Sequence, residues 1–196
     1  MSSESPATEK PVRAPERTQT RPPARERILD VAGPLFYREG YRAVGVDRVI
    51  GEADEAKGTV NKHFPSKDDL IVAWIGRAEE QSRAIVPPIA GQTPLYDYAD
   101  RMIAIAGQPR CLGCTYQGSA AEFQNPEHPA HRAALGVKRR VLVDLEARAA
   151  AQGLAEPRAV AERVFVFLEG VWASVRMFGP EAPLAGAREA VRRLAA

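Results

Sequence analysis

The chain has 196 residues, 45% of them hydrophobic and 27% charged, with 27 Lys and Arg against 25 Asp and Glu for a net charge of +2. That size and balance fit one or two ordinary globular domains. The charge is too mild to declare a nucleic-acid binder by itself, so the position of the basic residues matters more than their sum. No run approaches the roughly 18 apolar residues needed to span a membrane. The first 25 residues hold no apolar core of a signal peptide, so a cytoplasmic location is expected. Two cysteines, Cys111 and Cys114, are too few for a disulfide framework. Ala, Arg, Leu and Glu dominate and long β-branched runs are absent, which predicts an all-α fold.

Residues 1–22 scatter Pro6, Pro11, Pro15 and Pro22 among charges and hydroxyls. Such a segment cannot bury enough apolar surface to order itself, which predicts a disordered tail. The other reading is an arm whose Arg17, Arg21 and Arg25 touch the DNA backbone or minor groove. From Ala24 the pattern turns helical, with Ile28, Leu29, Ala32, Leu35 and Phe36 on one face. Gly40 suits the position just past the helix end. Pro34 inside this helix predicts a bend. Val46, Val49 and Ile50 mark a helix of about two turns, and a second short piece runs from Lys57 to His63. Pro65 stops it, and Ser66 caps the next helix with Asp69 three residues on. That helix carries Leu70, Ile71, Trp74 and Ile75 and stops near Pro87. Five more helices are expected at about 94–107, 114–124, 129–152, 156–178 and 183–195. The total is about nine, with no internal repeat and no strand.

Two short helices joined by a tight turn, with longer helices before and after, form a helix-turn-helix pattern. A short second helix fits the major groove, roughly 12 Å wide. Gly58 and Thr59 are small enough to permit close approach. Lys57 and Lys62 are placed to meet phosphates, and Asn61 and His63 to meet phosphates or base edges.

The stretches RERILDVAGPLFYREGY, VDRVIGEA and KGTVNKHFPSKDDL, in that order and spacing over residues 24–80, resemble the TetR family of transcriptional regulators. The resemblance implies a DNA-binding region over 23–83 and a larger helical domain over 84–196 for ligand binding and dimerisation. It implies a supporting first helix, a recognition helix at about 57–63, and a fourth helix that links the two regions. The expected DNA-facing residues are Arg25, Val46, Lys57, Gly58, Thr59, Val60, Asn61, Lys62, His63 and Lys67, the last resembling a family phosphate contact. The pattern departs from the family at Gly45, Asp54, Glu55, Ala56 and Asn61. A missing Ser/Thr cap at 45 costs about 1 kcal/mol. Asp54 tolerates a left-handed turn, and Asn61 is a natural reader of adenine edges. GCTYQGSAAEFQNPEHPAHRAA, residues 113–134, resembles one sub-branch with a Gly-Cys opening, an Ala-Ala-Glu segment and a Pro-x-His-Pro turn.

The helix over 156–178 is apolar around most of its circumference, and the last helix has a stripe of Ala187, Ala190, Val191 and Leu194. Both suggest a twofold dimer through a four-helix interface; the alternative is that both stripes are monomer core. A dimer sets two recognition helices about 34 Å, one DNA turn, or a multiple apart, and implies a near-palindromic operator. Pocket candidates are Trp74, Tyr98, Met102, Tyr116, Phe123, Phe167, Trp172 and Met177, with Gln117, Glu122 and Arg110 to orient a small apolar ligand. Cys111-Leu-Gly-Cys114 followed by His128 and His131 raises zinc and thiol-switch readings beside the plain one of unreactive side chains. No resident metal or cofactor is expected. No nucleophile–base pair, phosphate-binding loop or paired carboxylates speak for an enzyme. The readings are a ligand-responsive regulator, most simply a repressor, and a helical binding module whose DNA recognition has weakened.

Overall fold

A computed structural model describes residues 22–196; the expected tail, with Arg17 and Arg21, lies outside them. The described residues form nine α-helices and no strand: α1 (Ala24–Glu39), α2 (Val46–Ala53), α3 (Lys57–His63), α4 (Lys67–Ile85), α5 (Pro94–Ala106), α6 (Thr115–Glu122), α7 (Pro129–Ala151), α8 (Pro157–Phe178) and α9 (Ala187–Ala195). A short 3-10 turn, Gly179–Glu181, separates the last two.

The apolar spacing of α1 buries Ile28, Leu29, Ala32, Leu35 and Phe36. Each such large side chain contributes about 1.5–3 kcal/mol of transfer free energy. The helix runs unbroken through Pro34, which sits on the exposed face. It ends at Gly40, whose φ of 93° is open to glycine and whose N–H donates to Phe36 O at 3.0 Å. Asp54 ends α2 in the left-handed region at φ 52°, ψ 49°. Gly45 and Ala56, at the starts of α2 and α3, supply no side-chain cap. Ser66 and Asp69 form a reciprocal capping box at the start of α4: Asp69 N–H donates to Ser66 Oγ at 3.1 Å and Ser66 N–H to Asp69 Oδ2 at 3.0 Å.

Two apolar cores result. The first joins α1 to α4 with Cys114, Tyr116 and Phe123 and with Ala130, Ala134 and Val137 of α7. The second joins α5, the C-terminal half of α7, α8 and α9. The first core therefore crosses the boundary expected near residue 83. Close packing of α1 on α4 depends on Gly33. A Cβ there would lie 2.2 Å from Trp74 Cζ3, so the two helices approach as they do only because residue 33 has no side chain.

The α9 stripe is partly buried within the chain. Ala187, Val191 and Ala195 are buried in the second core. The outer face carries Arg188 and Arg192, both paired with Asp100 of α5, and Arg193 paired with Glu189. Ala187 and Val191 of the expected stripe are thus in the monomer core, while Ala190 and Leu194 are half-buried. The outward line on α8 differs: Val166, Gly170, Ala173 and Met177 all lie at its surface at helical spacing.

Candidate DNA-binding surface and ligand cavity

Helix α3 stands on the first core through Val60, which is only 1% exposed. Its other side presents Lys57, Gly58, Asn61, Lys62 and His63 to solvent, with Thr59 half-buried. Val60 is among the residues expected to face DNA; its side chain instead anchors the helix, because so short a helix needs one apolar foot. No atom lies within 4 Å of a Cβ built at Gly58, so packing does not demand glycine there. The small residue leaves room for an outside body.

Lys57 Nζ is 3.5 Å from Asp47, and both side chains are well exposed, so this pair contributes little stability. The Arg25 guanidinium lies 5.7 Å above the Phe64 ring centroid, beside the end of α3, and 3.2 Å from Glu26. Val46 is half-buried at the first position of α2. Lys67 opens α4 and donates from Nζ to Arg42 O at 3.0 Å. Burial holds its pKa below the usual lysine value, while the nearby Glu122 and Asp68 carboxylates push the other way.

Beneath this head, α4, α5, α6, α7 and α8 line a half-open cavity of about 740 Å³, within the usual range for small-molecule sites. Trp74, Tyr98, Met102, Tyr116 and Trp172 line it as expected. Other candidates stand elsewhere. Phe123 is buried in the first core, stacked on His128 with ring centroids 4.2 Å apart. Phe167 is absent from the wall, where Phe165 stands instead. Two residues apart on a helix point about 200° apart, so only one of these two rings can face inward. Met177 is 79% exposed, and Arg110 is exposed outside the wall. Gln117 reaches the wall indirectly, donating to Glu169 Oε2 at 2.9 Å and Glu169 O at 3.0 Å.

The wall also holds ionised residues that sequence patterning assigns to solvated faces. Arg140 makes a two-pronged pair with Glu79 at 2.6 and 2.7 Å. That hydrogen bonding holds the Glu79 pKa below its ordinary value. Lys138 pairs with Glu169, and Asp144 with the buried Arg148 at 2.7 Å. Arg148 also donates to Pro87 O at 2.8 Å and lies 5.0 Å from the Tyr98 ring centroid. A period of 3.6 places charges opposite apolar residues, and only the crossing of several helices turns these inward.

Helix α6 connects the cavity to the head. Tyr116 is in the cavity wall, and its neighbour Thr115 meets Tyr41 Oη through its hydroxyl at 2.6 Å and its carbonyl at 3.1 Å. At the other end of α6, Glu122 accepts the Tyr41 N–H at 2.9 Å and the Arg42 N–H at 2.7 Å. Arg42 Nε returns a bond to Glu122 O at 2.9 Å. The turn that leads from α1 into the helix pair is thus held from both ends of α6. Tyr37 adds a tie: its hydroxyl donates to Gly113 O at 2.9 Å and accepts from Leu112 N–H at 2.8 Å. Burial pushes the Tyr37 phenol up to about 12 and likewise Tyr41, so both hydroxyls keep their protons at neutral pH.

The two histidines have structural roles. His128 Nδ1 accepts the Ala130 N–H at 3.2 Å at the start of α7, and His131 Nδ1 is 2.7 Å from Phe123 O. Among the described residues, no group of three or more His, Cys, Asp or Glu is placed to hold a metal ion. Cys111 and Cys114 are free thiols on the cavity wall. No helix among the described residues is long and apolar enough to cross a membrane.

Residues 28–74 match the family model of bacterial regulatory proteins, tetR family. The transcriptional repressor KstR of Rhodococcus jostii is 41% identical over 86 residues, 43% of this chain and 38% of that protein. KstR of Mycobacterium tuberculosis is 38% identical over 72 residues, 36% of this chain and 33% of that protein. The chain thus spans less than two fifths of the length of these curated relatives. Similarity in structure extends further. A TetR-family transcriptional regulator from Streptomyces coelicolor superposes with a TM-score of 0.80 at 29% identity, over 87% of this chain and 93% of that one. A second regulator, from Streptomyces avermitilis, shares the fold with a TM-score of 0.77 at 24% identity, over 89% and 98%. Residues 28–74 are thus similar to the tetR family of bacterial regulatory proteins, and the described chain shares the all-helical fold of these solved regulators.

Proposed function

We propose that the chain is a dimeric repressor whose hold on a near-palindromic operator is released by a small, largely apolar molecule in the 740 Å³ cavity. The observation that carries this reading is α6, which has Tyr116 in the cavity wall and grips the Tyr41–Arg42 turn through Thr115 and Glu122. A ligand that displaces α6 shifts the support of the helix pair, and with it the spacing of two heads. Affinity for the operator then differs between the filled and empty states, which is all that allosteric release requires. Lys57, Lys62 and Lys67 serve phosphates, and Asn61 and His63 serve base edges. The segment 113–134, which resembles one sub-branch, supplies part of the cavity wall, Gly113 to Tyr116, and the grip.

The partner surface is the outward line of α8. Val166 and Met177 flank the small residues Gly170 and Ala173, so two copies of the helix can approach closely there. Sedimentation of Ala173→Arg protein tests this: a monomer is expected, and an unchanged dimer rules this face out.

The direct test of function is fluorescence anisotropy against DNA from the flanks of the chain's own gene, at two salt concentrations. Binding to one near-palindromic site that survives physiological salt is expected. Sequence-blind binding that collapses with salt refutes the operator reading in favour of a helical module with blunted DNA recognition. A thiol switch is the second reading, favoured by Tyr37 Oη lying 3.7 Å from Cys111 Sγ at the junction of head and cavity. Operator affinity unchanged by hydrogen peroxide removes it.

A further inference from the structure

Charge on the cavity wall does not balance. The lining carries Glu79, Asp144 and Glu169 against Arg83, Lys138 and Arg140, and the buried Arg148 stands behind Asp144. Lys138 pairs with Glu169 and Arg148 with Asp144, one cation to one carboxylate each. Glu79 is shared. Its Oε1 accepts from Arg83 Nη2 at 2.9 Å and from Arg140 Nε at 2.6 Å, while its Oε2 accepts from Arg140 Nη2 at 2.7 Å. Two guanidiniums thus meet on one carboxylate oxygen, and one positive charge is left over. Each guanidinium has five N–H bonds. One from Arg83 and two from Arg140 go to Glu79, and the others meet no further acceptor among the described residues.

This surplus sits at the mouth. Tyr98 and Met102 in the wall are 6% and 9% exposed, whereas the side chains of Arg83 and Arg140 are 65% and 53% exposed. The half-open cavity therefore runs from an apolar, aromatic interior to a rim held by one arginine of α4 and one of α7. An ion seated at such a rim keeps part of its water and escapes much of the desolvation cost of a buried pair. A carboxylate matches the planar fork of a guanidinium with its two oxygens. A cation would be repelled there, and a neutral head would leave the extra charge unanswered. Building on the cavity reading, we infer that the ligand is a mostly apolar acid whose body lies against Trp74, Tyr98 and Trp172 and whose single carboxylate docks at the mouth between Arg83 and Arg140. Helix α4 runs from the helix-turn-helix head to this mouth, so a carboxylate that ties Arg83 to Arg140 acts on the helix that joins head and cavity.

Matched probes test this on the full chain by calorimetry at neutral pH and low salt. Decanoate, 1-decanol and decylammonium carry a negative, a neutral and a positive head on the same apolar body. Decanoate is expected to bind about tenfold tighter than 1-decanol, the worth of one charge-assisted hydrogen bond at a partly exposed site, and decylammonium more weakly than either. The decanoate-to-decanol ratio should shrink as salt rises, because exposed charges are screened. Arg83→Gln removes the surplus charge and leaves the Arg140–Glu79 pair in place, so the ratio should come close to one. Glu79→Gln enlarges the surplus, so the ratio should rise; damage to the fold alone would not move the two variants in opposite directions. Equal affinity for decanoate and 1-decanol in the unaltered chain, preference for decylammonium, or a ratio unchanged in both variants overturns the inference while leaving the cavity as a ligand site. Binding of none of the three overturns the cavity reading with it.

Discussion

Glu122→Gln probes the grip of α6 on the helix-turn-helix head. The Glu122 carboxylate accepts the Tyr41 and Arg42 backbone N–H groups at 2.9 and 2.7 Å, and the residue is half-buried. Hydrogen bonds to a charged acceptor contribute about 1.5–3 kcal/mol each, and partial exposure argues for the lower end. Glutamine keeps the shape but offers one acceptor oxygen, so one N–H loses its partner and meets an amide donor. The expected loss is about 1.5–2 kcal/mol for Glu122→Gln and about 3 kcal/mol for Glu122→Ala, which removes both bonds. Urea unfolding at unchanged m-value measures this. A second readout is the factor by which a cavity ligand weakens operator binding, which should shrink in both variants. If Glu122→Gln unfolds within about 0.5 kcal/mol of the parent chain, or alanine costs no more than glutamine, the two bonds do not carry the turn and the argument fails.

Three further outcomes follow from the packing. Gly33→Ala puts a Cβ 2.2 Å from the Trp74 ring; the ring must move, at about 1–3 kcal/mol, and the change should appear in both thermal stability and tryptophan emission. Arg148→Met leaves the half-exposed Asp144 without the guanidinium 2.7 Å away and strips a donor from Pro87 O; a loss of about 1–3 kcal/mol is expected from the orphaned acceptors, and a neutral result in urea would count against it. Glu79 has its pKa lowered chiefly by its hydrogen bond to Arg140. A carboxyl with a depressed folded pKa contributes stability that is fully present above its unfolded value near 4.5 and is lost as pH falls through the folded value. Stability followed from pH 6 downward should therefore fall below about pH 4.5 in the parent chain. Glu79→Gln should flatten that limb, and an unaltered limb would place the acid sensitivity elsewhere.

Local sequence settles the helices and the outline of the head. Apolar spacing in α1, the stop at Gly40, the left-handed Asp54 and the Ser66–Asp69 box are set by residues within one or two turns of each other. For the same reason the exposed side of α3, with Lys57, Asn61, Lys62 and His63, is legible in the sequence, while Val60 is misplaced for want of knowing which side meets α1. The cavity depends on tertiary packing. Lys138 and Glu169 are 31 residues apart, Glu79 and Arg140 61, and Glu122 and Arg42 80, and no periodic pattern couples residues at such separations. The choice of Phe165 over Phe167 and the outward line on α8 likewise depend on how whole helices cross. Local periodicity fixes which side of a helix is apolar, but only the docked neighbours determine whether that side meets a core, a ligand or another chain.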